Sequence, residues 1–586
     1  MNRPAVIRDA KYRYDGFHKG EVFSGKRKGR LPAMGWNSWN AFGSGNTEEL
    51  TKQMADKIVE LCLDELGYEY VVLDDGCYRP ERVDGKLANE ERKFPSGFRA
   101  LSDYIHSKGL KFGMYNDIGT NLCAGAAVGT CGHEKTDAKS YLEWGVDFIK
   151  VDNCYYLWDN ATFSAAGNAR YTYAPAIREL QIAGAGRTDC LEAKDAEFCG
   201  AGVRLREDGC AVGIGTFDGT GPQHSPAEER SGELCFSYEA AEEGEYAVRV
   251  VYISGEEPEI GSWLQIAVGE EVAYDELLPV SMGLVSSEEI RLSLKKGTNQ
   301  IRLMNHRRQE NTLVSYATLL EAFHEEDPEA DVLLSICEWG KTQPQDWGWK
   351  VGDSWRILND ITFRVGADGD PGYGSWESDY TPGVAPQYNK AVIMDEFAGL
   401  DKGWNDPDML MVGMNGLDMT ECRTHFAMWC MLNSPLMLGL DLRRVRKDDE
   451  LYRIIADREL IALNQDPLGV QAKRVFSTLA KERPDTEYIR DNERVDALAK
   501  PLADGSIAVA FFNLSGKEQA AEVSVELETI LAFIGDKMPD AEGFGAASSY
   551  CIRNLSDGTE TLSSGRKVAA EGLPAHGSKV FRIRAV

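Results

Sequence analysis

The residues Phe148–Cys154 combine an apolar run with a charged end, and this combination could do chemistry. The run predicts a short buried strand that ends at Asp152. Lys150 lies two residues earlier, so the two side chains point to the same face of the strand. A neighbouring lysine lowers the pKa of an aspartate and keeps it charged. Asp152 is therefore predicted to be a nucleophile or a cation stabiliser; the alternative is a buried ion pair that only fixes the strand.

Further carboxylates follow other predicted strands, and aromatic residues lie close to them in sequence. The carboxylates are Asp74, Asp75, Glu338, Asp360 and Asp408. The aromatic residues are Trp36, Trp39, Tyr115, Trp339 and Trp355. No histidine accompanies the strand ends, which weakens a zinc interpretation. Two interpretations remain open. One is magnesium or manganese chemistry with oxygen ligands. The other is sugar binding, which the abundance of Trp and Tyr favours.

Hydrolysis of a glycosidic bond needs two carboxyl groups on opposite sides of that bond. Asp152 is the charged candidate. Asp360 is the better proton donor, because a carboxyl group crowded by other carboxylates retains its proton more readily. Arg356 lies four residues before Asp360 on the same strand face. We expect Arg356 to contact substrate or Glu338 rather than Asp360.

The elements that position these side chains follow a repeating pattern. From Leu31 onward, apolar strands alternate with amphipathic helices at a spacing of about 35 residues, which predicts a parallel sheet covered by helices. In a (β/α)8 TIM barrel the active site lies at the carboxyl ends of the strands. The rival, a doubly wound open sheet, usually has a glycine-rich turn after its first strand. Trp36–Trp39 occupies that place here, which favours the barrel, an α/β fold.

The repeat is interrupted between the fourth and fifth strands. Tyr173–Gly184 is predicted to be a helix, and residues 188–325 show the short alternating strands of an inserted β-sandwich (jelly roll). An insert that follows a helix should lie on the N-terminal face of the barrel, away from the chemistry. The predicted domains are an N-terminal arm (1–30), the barrel (31–187 and 326–468), the insert (188–325) and a C-terminal antiparallel β-domain (469–586).

Composition excludes several classes of partner. The 586 residues carry a formal net charge of −30, which disfavours nucleic acid and anionic membranes and favours a neutral ligand. No stretch is long and apolar enough to span a membrane, and the N-terminus lacks an apolar signal core. A cytoplasmic location with reduced thiols is the expectation for the 13 cysteines. A homo-oligomer stays open.

Five motifs in order resemble glycoside hydrolase family 27, the α-galactosidases and their relatives. They are Met34–Trp39, Leu73–Asp75, Lys150–Cys154, Cys337–Gly340 and Gly403–Met409. The match covers about residues 31–185 and 331–470, and the C-terminal β-domain also fits. The insert is not a standard feature of the family. Leu191–Ala196 and Gly297–Leu303 are similar to carbohydrate-binding modules of families 6 and 35, but Lys194 replaces an acidic residue that often helps to hold calcium. A scaffold without a ligand is the alternative for this sandwich.

The family resemblance implies a retaining double displacement without cofactor or metal. Asp152 matches the nucleophile and Asp360 the acid/base, at a separation of about 5–5.5 Å. The remaining matches are substrate-binding residues and pocket walls: Trp39, Asp74, Asp75, Tyr115, Cys123, Lys150, Cys154, Glu338, Trp339, Arg356 and Asp408. Cys123 and Cys154 match a pair that is disulfide-bonded in secreted members, whereas Cys77 lacks its usual partner.

The resemblance implies terminal α-linked D-galactose of an oligosaccharide or glycoconjugate as substrate. Glu338 would crowd an acetamido group, and the pair Asp74–Asp75 favours galactose over β-L-arabinopyranose. The alternatives within the clan are β-L-arabinopyranosidase, α-N-acetylgalactosaminidase and isomalto-dextranase. Outside it, a non-catalytic carbohydrate-binding protein and a metal-dependent barrel enzyme remain to be tested.

Overall fold

The structure is a computed structural model that describes residues 21–154, 174–200, 202–215, 232–254 and 262–586. Most of the predicted N-terminal arm lies outside these ranges, and residues 21–30 contain no helix or strand. Among the described helices, none combines the length and the apolar character needed to cross a bilayer.

Eight parallel strands form the barrel. They are β1 (Met34–Asn37), β2 (Tyr70–Val72), β3 (Lys111–Asp117), β4 (Phe148–Asp152), β5 (Leu333–Cys337), β6 (Ser354–Arg356), β7 (Trp404–Asp406) and β8 (Leu436–Leu438). Each strand from β1 to β6 pairs with the next in sequence, and β8 pairs with β1. A bridge between Leu410 and Leu438 closes the ring between β7 and β8. The predicted TIM barrel is confirmed.

Helices alternate with the strands and cover the barrel. They are α1 (Glu48–Glu60), α2 (Gly97–Ser107), α3 (Glu134–Trp144), α4 (Arg307–Glu326), α5 (Pro344–Trp347), α6 (Val384–Ala391), α7 (Met419–Met431) and α8 (Arg458–Asn464). Two further short helices span Ser38–Phe42 and Glu450–Ile455. The apolar faces of these helices and the strands share one continuous core. Because parallel strands all point the same way, their carboxyl ends, and the polar residues that follow them, meet at one rim.

The insert is a sandwich of two antiparallel sheets with its own core. One sheet contains Glu197–Cys199, Glu233–Ala240, Ser262–Val268, Glu271–Leu278 and Gly297–Met304. The other contains Ala176–Gly184, Arg187–Glu192, Arg204–Leu205, Ala211–Val212, Gly244–Ile253, Val285–Ser286 and Ile290–Leu294.

The insert lies on the opposite face of the barrel from the one predicted. The predicted helix Tyr173–Gly184 is, in its described part, the strand Ala176–Gly184 of the sandwich. Among the described residues, the first element after β4 is therefore a strand of the sandwich, and the sandwich ends at Met304, just before α4. A connection from a strand to its helix lies at the carboxyl end of the strands, the face where β4 delivers Asp152. The domain boundaries at 187 and 325 shift accordingly, and α4 belongs to the barrel core.

A β-bulge explains the wrong helix prediction. Val251 pairs with Glu179, whereas the next residue, Tyr252, pairs with Ile177. Arg178 is the extra residue, so Ile177 and Leu180 both face the core although they are three positions apart. That spacing is typical of one face of a helix, and for this reason the sequence pattern predicts a helix where the structure has a strand.

The sandwich grips the first turn of α4. The Arg307 guanidinium, fully buried, lies 4.9 Å from the ring centre of Trp263 in the insert. Gln265, also in the insert, donates to Glu310 at 3.2 Å. The same turn of α4 also contacts the rim, because the Gln309 side-chain amide donates to the carbonyl of Thr342 in the loop after β5. The insert thus buttresses a loop that lies beside the carboxyl ends of the strands.

The C-terminal domain is an antiparallel β-structure, as predicted. One sheet contains Lys473–Ser477, Val495–Pro501, Ile507–Asn513, Tyr550–Asn554, Glu560–Ser563 and Ser578–Ala585. A second pairs Val523–Glu526 with Lys567–Ala570, and the helices Leu527–Ile534 and Ala541–Ala546 complete the domain.

Candidate active site

A cavity of about 410 Å³ opens at the carboxyl ends of the barrel strands. Twelve of the thirteen predicted site residues line it: Trp39, Asp74, Asp75, Tyr115, Cys123, Lys150, Asp152, Cys154, Trp339, Arg356, Asp360 and Asp408. Four further lining residues were not predicted, namely Asn40, Ala124, Phe363 and Met409. Three of these are sequence neighbours of predicted residues, and adjacency to a motif could have found them. Phe363 follows no motif and needed the structure.

Asp152 ends β4 at the bottom of this cavity and is 5% exposed. The Tyr115 hydroxyl donates to its Oδ2 at 3.0 Å, and the Asn153 backbone N–H donates to Oδ1 at 3.1 Å. Burial raises the pKa of Asp152 to about 8, against the attraction of Lys150, with further raising contributions from Asp117, Asp360 and Asp74. Lys150 does act to lower this pKa, as predicted, but the expectation that it keeps Asp152 charged is wrong, because the loss of hydration outweighs one cation.

Lys150 makes its closest contact with another carboxylate. Its Nζ donates to Asp74 Oδ2 at 2.8 Å, so the ion pair joins β4 to the end of β2. Asn37 donates to the same oxygen at 2.9 Å. Although burial opposes it, Asp74 raises the pKa of Lys150 well above its ordinary value. This ion pair inside the cavity thereby links two strands that are far apart in the sequence.

Asp75 is held in a rigid position beside this pair. Its carboxylate accepts hydrogen bonds from the Ala124 backbone N–H at 2.7 Å and the Gly76 backbone N–H at 2.6 Å. Burial raises its pKa to about 6, partly offset by these N–H donors. Asp74 and Asp75 therefore present two fixed acceptors to a ligand in the cavity.

Asp360 lies across the cavity on the loop after β6, with 38% of its side chain exposed. Arg356 donates to Asp360 at 2.9 Å and also lies 2.8 Å from Asp408 Oδ2. The prediction that Arg356 would contact substrate or Glu338 instead of Asp360 is therefore wrong. The loop after β6 turns back, so that the Asp360 carboxylate lies beside the Arg356 guanidinium. Arg356 therefore fixes the positions of both the Asp360 and the Asp408 carboxylates.

Glu338 lies behind the cavity wall and does not line it. It is fully buried, and its Oε2 accepts from the backbone N–H and the hydroxyl of Thr342, each at 2.8 Å. A contact between Glu338 and the sugar stays a prediction, and in the structure Glu338 is not among the residues that line the cavity. The next residue, Trp339, turns into the cavity wall with a positive φ of 59°, a conformation that costs energy for a bulky side chain.

Cys123 and Cys154 form a disulfide at the rim, with their Cα atoms 5.3 Å apart. The expectation of reduced thiols is wrong for this pair, whereas Cys77 is unbridged and buried. Asp117, Cys123, Asp152 and Cys154 bring potential ligand atoms within 4.8 Å of one another. Because the two sulfurs are bonded together, they are not the thiolates that bind metal ions, and this donor set does not fit a metal centre.

Comparison with known proteins agrees with this geometry. A family model described as alpha galactosidase A matches residues 31–176 and 373–466, and one described as the alpha galactosidase C-terminal beta sandwich domain matches 492–583. Together they cover more than half of the chain. The chain belongs to the α-galactosidase family of glycoside hydrolases, family 27. The family resemblance drawn from the five motifs is confirmed, and the family member described here is an enzyme of the hydrolase class.

Individual relatives in the α-galactosidase family match nearly the whole length of this chain. Alpha-galactosidase A of Cellvibrio japonicus is 27% identical over 560 residues, which cover 94% of this chain and 92% of the relative. The structure of a Saccharomyces cerevisiae α-galactosidase with raffinose is 20% identical, with a TM-score of 0.57 over 95% of this chain and 98% of that one. A β-L-arabinopyranosidase of Geobacillus stearothermophilus is 17% identical, with a TM-score of 0.54 over 95% and 97%. The two solved structures establish the shared fold.

The disulfide is expected to support substrate binding rather than the chemical step. It joins the loop that supplies the Ala124 donor of Asp75 to the end of β4. The double variant Cys123→Ser/Cys154→Ser should raise KM for an aryl α-galactoside by about 3–10-fold with a smaller change in kcat, because the loop gains freedom. Steady-state kinetics would measure both constants. Cys190→Ser, on the exposed surface of the insert, is the control. An unchanged KM in the double variant would contradict this role.

Proposed function

We propose that this α-galactosidase-family enzyme removes terminal α-linked D-galactose by retaining double displacement. Asp152 is the nucleophile and Asp360 the acid/base. The observation that carries the proposal is that these two carboxylates, delivered by β4 and by the loop after β6, line the same cavity of about 410 Å³. Asp360 is near enough to influence the pKa of Asp152. Two carboxyl groups that flank one sugar-sized space are what glycoside hydrolysis requires, and double displacement is the mechanism general to this family.

In the first step, Asp152 Oδ attacks the anomeric carbon while Asp360 gives its proton to the glycosidic oxygen. The carbon–oxygen bond breaks, the alcohol leaves, and galactose is esterified to Asp152. In the second step, Asp360 takes a proton from water, which attacks the same carbon and frees Asp152. Tyr115 holds Asp152 in the attacking orientation, and Arg356 holds Asp360. Both groups are thus in place before substrate binds, which reduces the entropy lost on reaching the transition state.

The polar end of the cavity supports a hexose in the galactose configuration. Asp74 and Asp75 are buried and fixed, and together with the half-buried Lys150 they offer acceptors and a donor to the 4-hydroxyl and 6-hydroxyl groups. The rings of Trp39, Tyr115 and Trp339 supply flat apolar walls. A 6-hydroxymethyl group distinguishes galactose from arabinopyranose, so the pair Asp74–Asp75 has this additional hydroxyl to bind only in the galactoside. A panel of nitrophenyl glycosides tests this choice, and faster cleavage of the β-L-arabinopyranoside would contradict it.

The stereochemistry of the first product is the direct test of the mechanism. Proton NMR recorded during hydrolysis of nitrophenyl α-galactoside should show α-galactose before mutarotation produces the β-anomer. Initial β-galactose would overturn the double displacement. Full activity in the presence of a strong chelator is also expected, and loss of activity restored by magnesium or manganese would favour the metal-dependent alternative.

The raised pKa of Asp152 predicts an acidic limb in the pH profile. Only the ionised carboxylate attacks, so kcat/KM should fall as the pH drops below the pKa of about 8. Asp117→Asn removes one repelling charge and should move this limb to lower pH. The profile of kcat/KM against pH measures the shift. Asp103→Asn, which lies on the exposed surface of α2, is the matched control. A limb that stays in place or moves to higher pH in Asp117→Asn would contradict the electrostatic explanation.

A further inference from the structure

The exposed aromatic side chains of the described residues are concentrated in one loop. Phe363 is 67% exposed, Tyr373 42% and Tyr380 78%, and all three lie between Asp360 and α6. Elsewhere in the described ranges, every Phe, Tyr and Trp is buried or half-buried. Exposing a phenylalanine instead of burying it forgoes about 1.5–3 kcal/mol, so such a concentration beside a binding cavity calls for a ligand.

The loop that carries these rings is anchored at several points. The Ile361 backbone N–H donates to Asp408 at 2.7 Å, and the Thr362 hydroxyl donates to the carbonyl of Tyr373 at 2.6 Å. The Gly366 backbone N–H donates to the carbonyl of Asn40 at 2.8 Å. The first of these bonds ties the loop to a carboxylate that itself contacts Arg356. The rings are therefore presented on a frame that is continuous with the catalytic residues.

Phe363 and Tyr380 contact each other. Their ring centres are 4.9 Å apart with an angle of 53° between the planes, so together they form an angled apolar surface. Arg364 and Asp379, the sequence neighbours of Phe363 and Tyr380, form an ion pair of 2.8 Å that joins the two segments of the loop. The pair is thus held by both of its flanks, and its outer faces remain open to solvent.

The position of this surface relative to the reaction is defined by Phe363. Phe363 lines the cavity and lies three residues after Asp360. In the proposed reaction Asp360 protonates the leaving oxygen, so the leaving group must lie on the side of the cavity where Asp360 is exposed. The deep side, where the buried Asp74 pairs with Lys150, is occupied by the galactose itself. A leaving sugar therefore passes next to Phe363.

We propose that Phe363 and Tyr380 form a platform that binds the first sugar ring of the leaving group. The C–H face of a hexose packs on an aromatic ring, as apolar surface on apolar surface, while its hydroxyls stay in water. The preferred substrates are then oligosaccharides in which galactose is linked to another sugar, rather than galactosides of small alcohols. This inference rests on the proposed α-galactosidase function and adds the recognition of the leaving group to it.

The test compares substrates that share galactose and differ in the leaving group. Melibiose carries a glucose ring, whereas α-galactosyl fluoride carries a single atom that cannot reach the platform. Phe363→Ala should lower kcat/KM for melibiose about tenfold and leave kcat/KM for the fluoride within twofold. Phe363→Tyr keeps a flat ring and should retain most of the activity on melibiose. Tyr380→Ala should produce the same selective loss of kcat/KM for melibiose, but a smaller one. Leu562→Ala, an exposed apolar position in the C-terminal domain, is the control.

The outcomes separate the platform from other roles. Equal losses on both substrates in Phe363→Ala would show that the ring supports the galactose pocket, and this would overturn the platform. Unchanged activity on both substrates would overturn it as well. Activity on the fluoride also shows that each variant is folded. If the wild-type enzyme fails to hydrolyse α-galactosyl fluoride at all, the proposed function fails first, and that result is distinct from a selective loss in the variants.

Discussion

Asp360→Ala is expected to lose about 10²–10⁴-fold in kcat/KM on methyl α-galactoside, because the poor leaving group departs only with a proton. Dinitrophenyl α-galactoside needs no such proton, so its kcat/KM should change little. Its kcat should still fall, since the galactosyl-enzyme then waits for an unassisted water. Steady-state kinetics over a series of leaving groups would measure the difference. A uniform loss across the series would contradict the role of general acid.

Azide provides a second measurement on the same variant. As a nucleophile that needs no base, it should restore turnover of Asp360→Ala on the dinitrophenyl substrate and yield α-galactosyl azide. This product has the configuration expected from attack on an ester at Asp152. Asp368→Asn, an exposed carboxylate on the same loop that pairs with Arg443, is the control and should behave like the wild type.

Asp152→Gly is expected to reduce turnover of every α-galactoside by about 10⁴-fold or more, because no group remains to form the covalent intermediate. The space left by the side chain admits azide from the face opposite to the leaving group. Azide should therefore rescue cleavage of dinitrophenyl α-galactoside and give β-galactosyl azide, the opposite anomer to that from Asp360→Ala. NMR of the two products distinguishes the two roles.

Binding provides the control for this second variant. Asp152→Asn keeps the size of the side chain and should still bind galactose, which isothermal titration calorimetry would measure. Wild-type turnover in Asp152→Asn would contradict the assignment, as would α-galactosyl azide from Asp152→Gly. A variant that neither binds galactose nor responds to azide would require a circular dichroism spectrum to establish that it is folded.

The placement of the candidate catalytic residues could be predicted from the sequence because the barrel imposes it. Parallel strands bring their carboxyl ends to one rim, so Asp75 after β2, Asp152 at β4 and Asp408 after β7 must converge although they are far apart in sequence. The periodic pattern of the strands was enough to locate that rim.

The pairing of charges inside the rim could not be predicted in the same way. Sequence proximity suggested that Lys150 pairs with Asp152, whereas its closest carboxylate comes from the end of β2. Which partner a buried cation reaches depends on the curvature of the sheet and on side-chain length, and neither is encoded in local spacing. Burial was also underestimated, and it raises the pKa of Asp152 where a neighbouring cation alone would lower it.

The sequence pattern predicts the wrong barrel face for the insert because a single β-bulge changes the spacing of the residues that face the sandwich core. With Ile177 and Leu180 on the same face of a strand, the local pattern resembles a helix, and an inferred helix reverses the face of the barrel from which the insert departs. The side chain that lines the cavity after β5 could not be predicted from the motif for a related reason. A strand end delivers the backbone to the rim, but the turn that follows decides which side chain enters the cavity, and here it is Trp339.

Trapping the covalent intermediate tests the proposed chemistry most directly. A fluorinated galactosyl fluoride that forms the ester quickly and hydrolyses slowly should inactivate the enzyme with one galactosyl group per chain. Mass spectrometry of the digested protein should place that group on Asp152. A label on Asp360, Asp75 or any other carboxylate, in an enzyme that still turns over natural substrate, would contradict the assignment of Asp152 as the nucleophile.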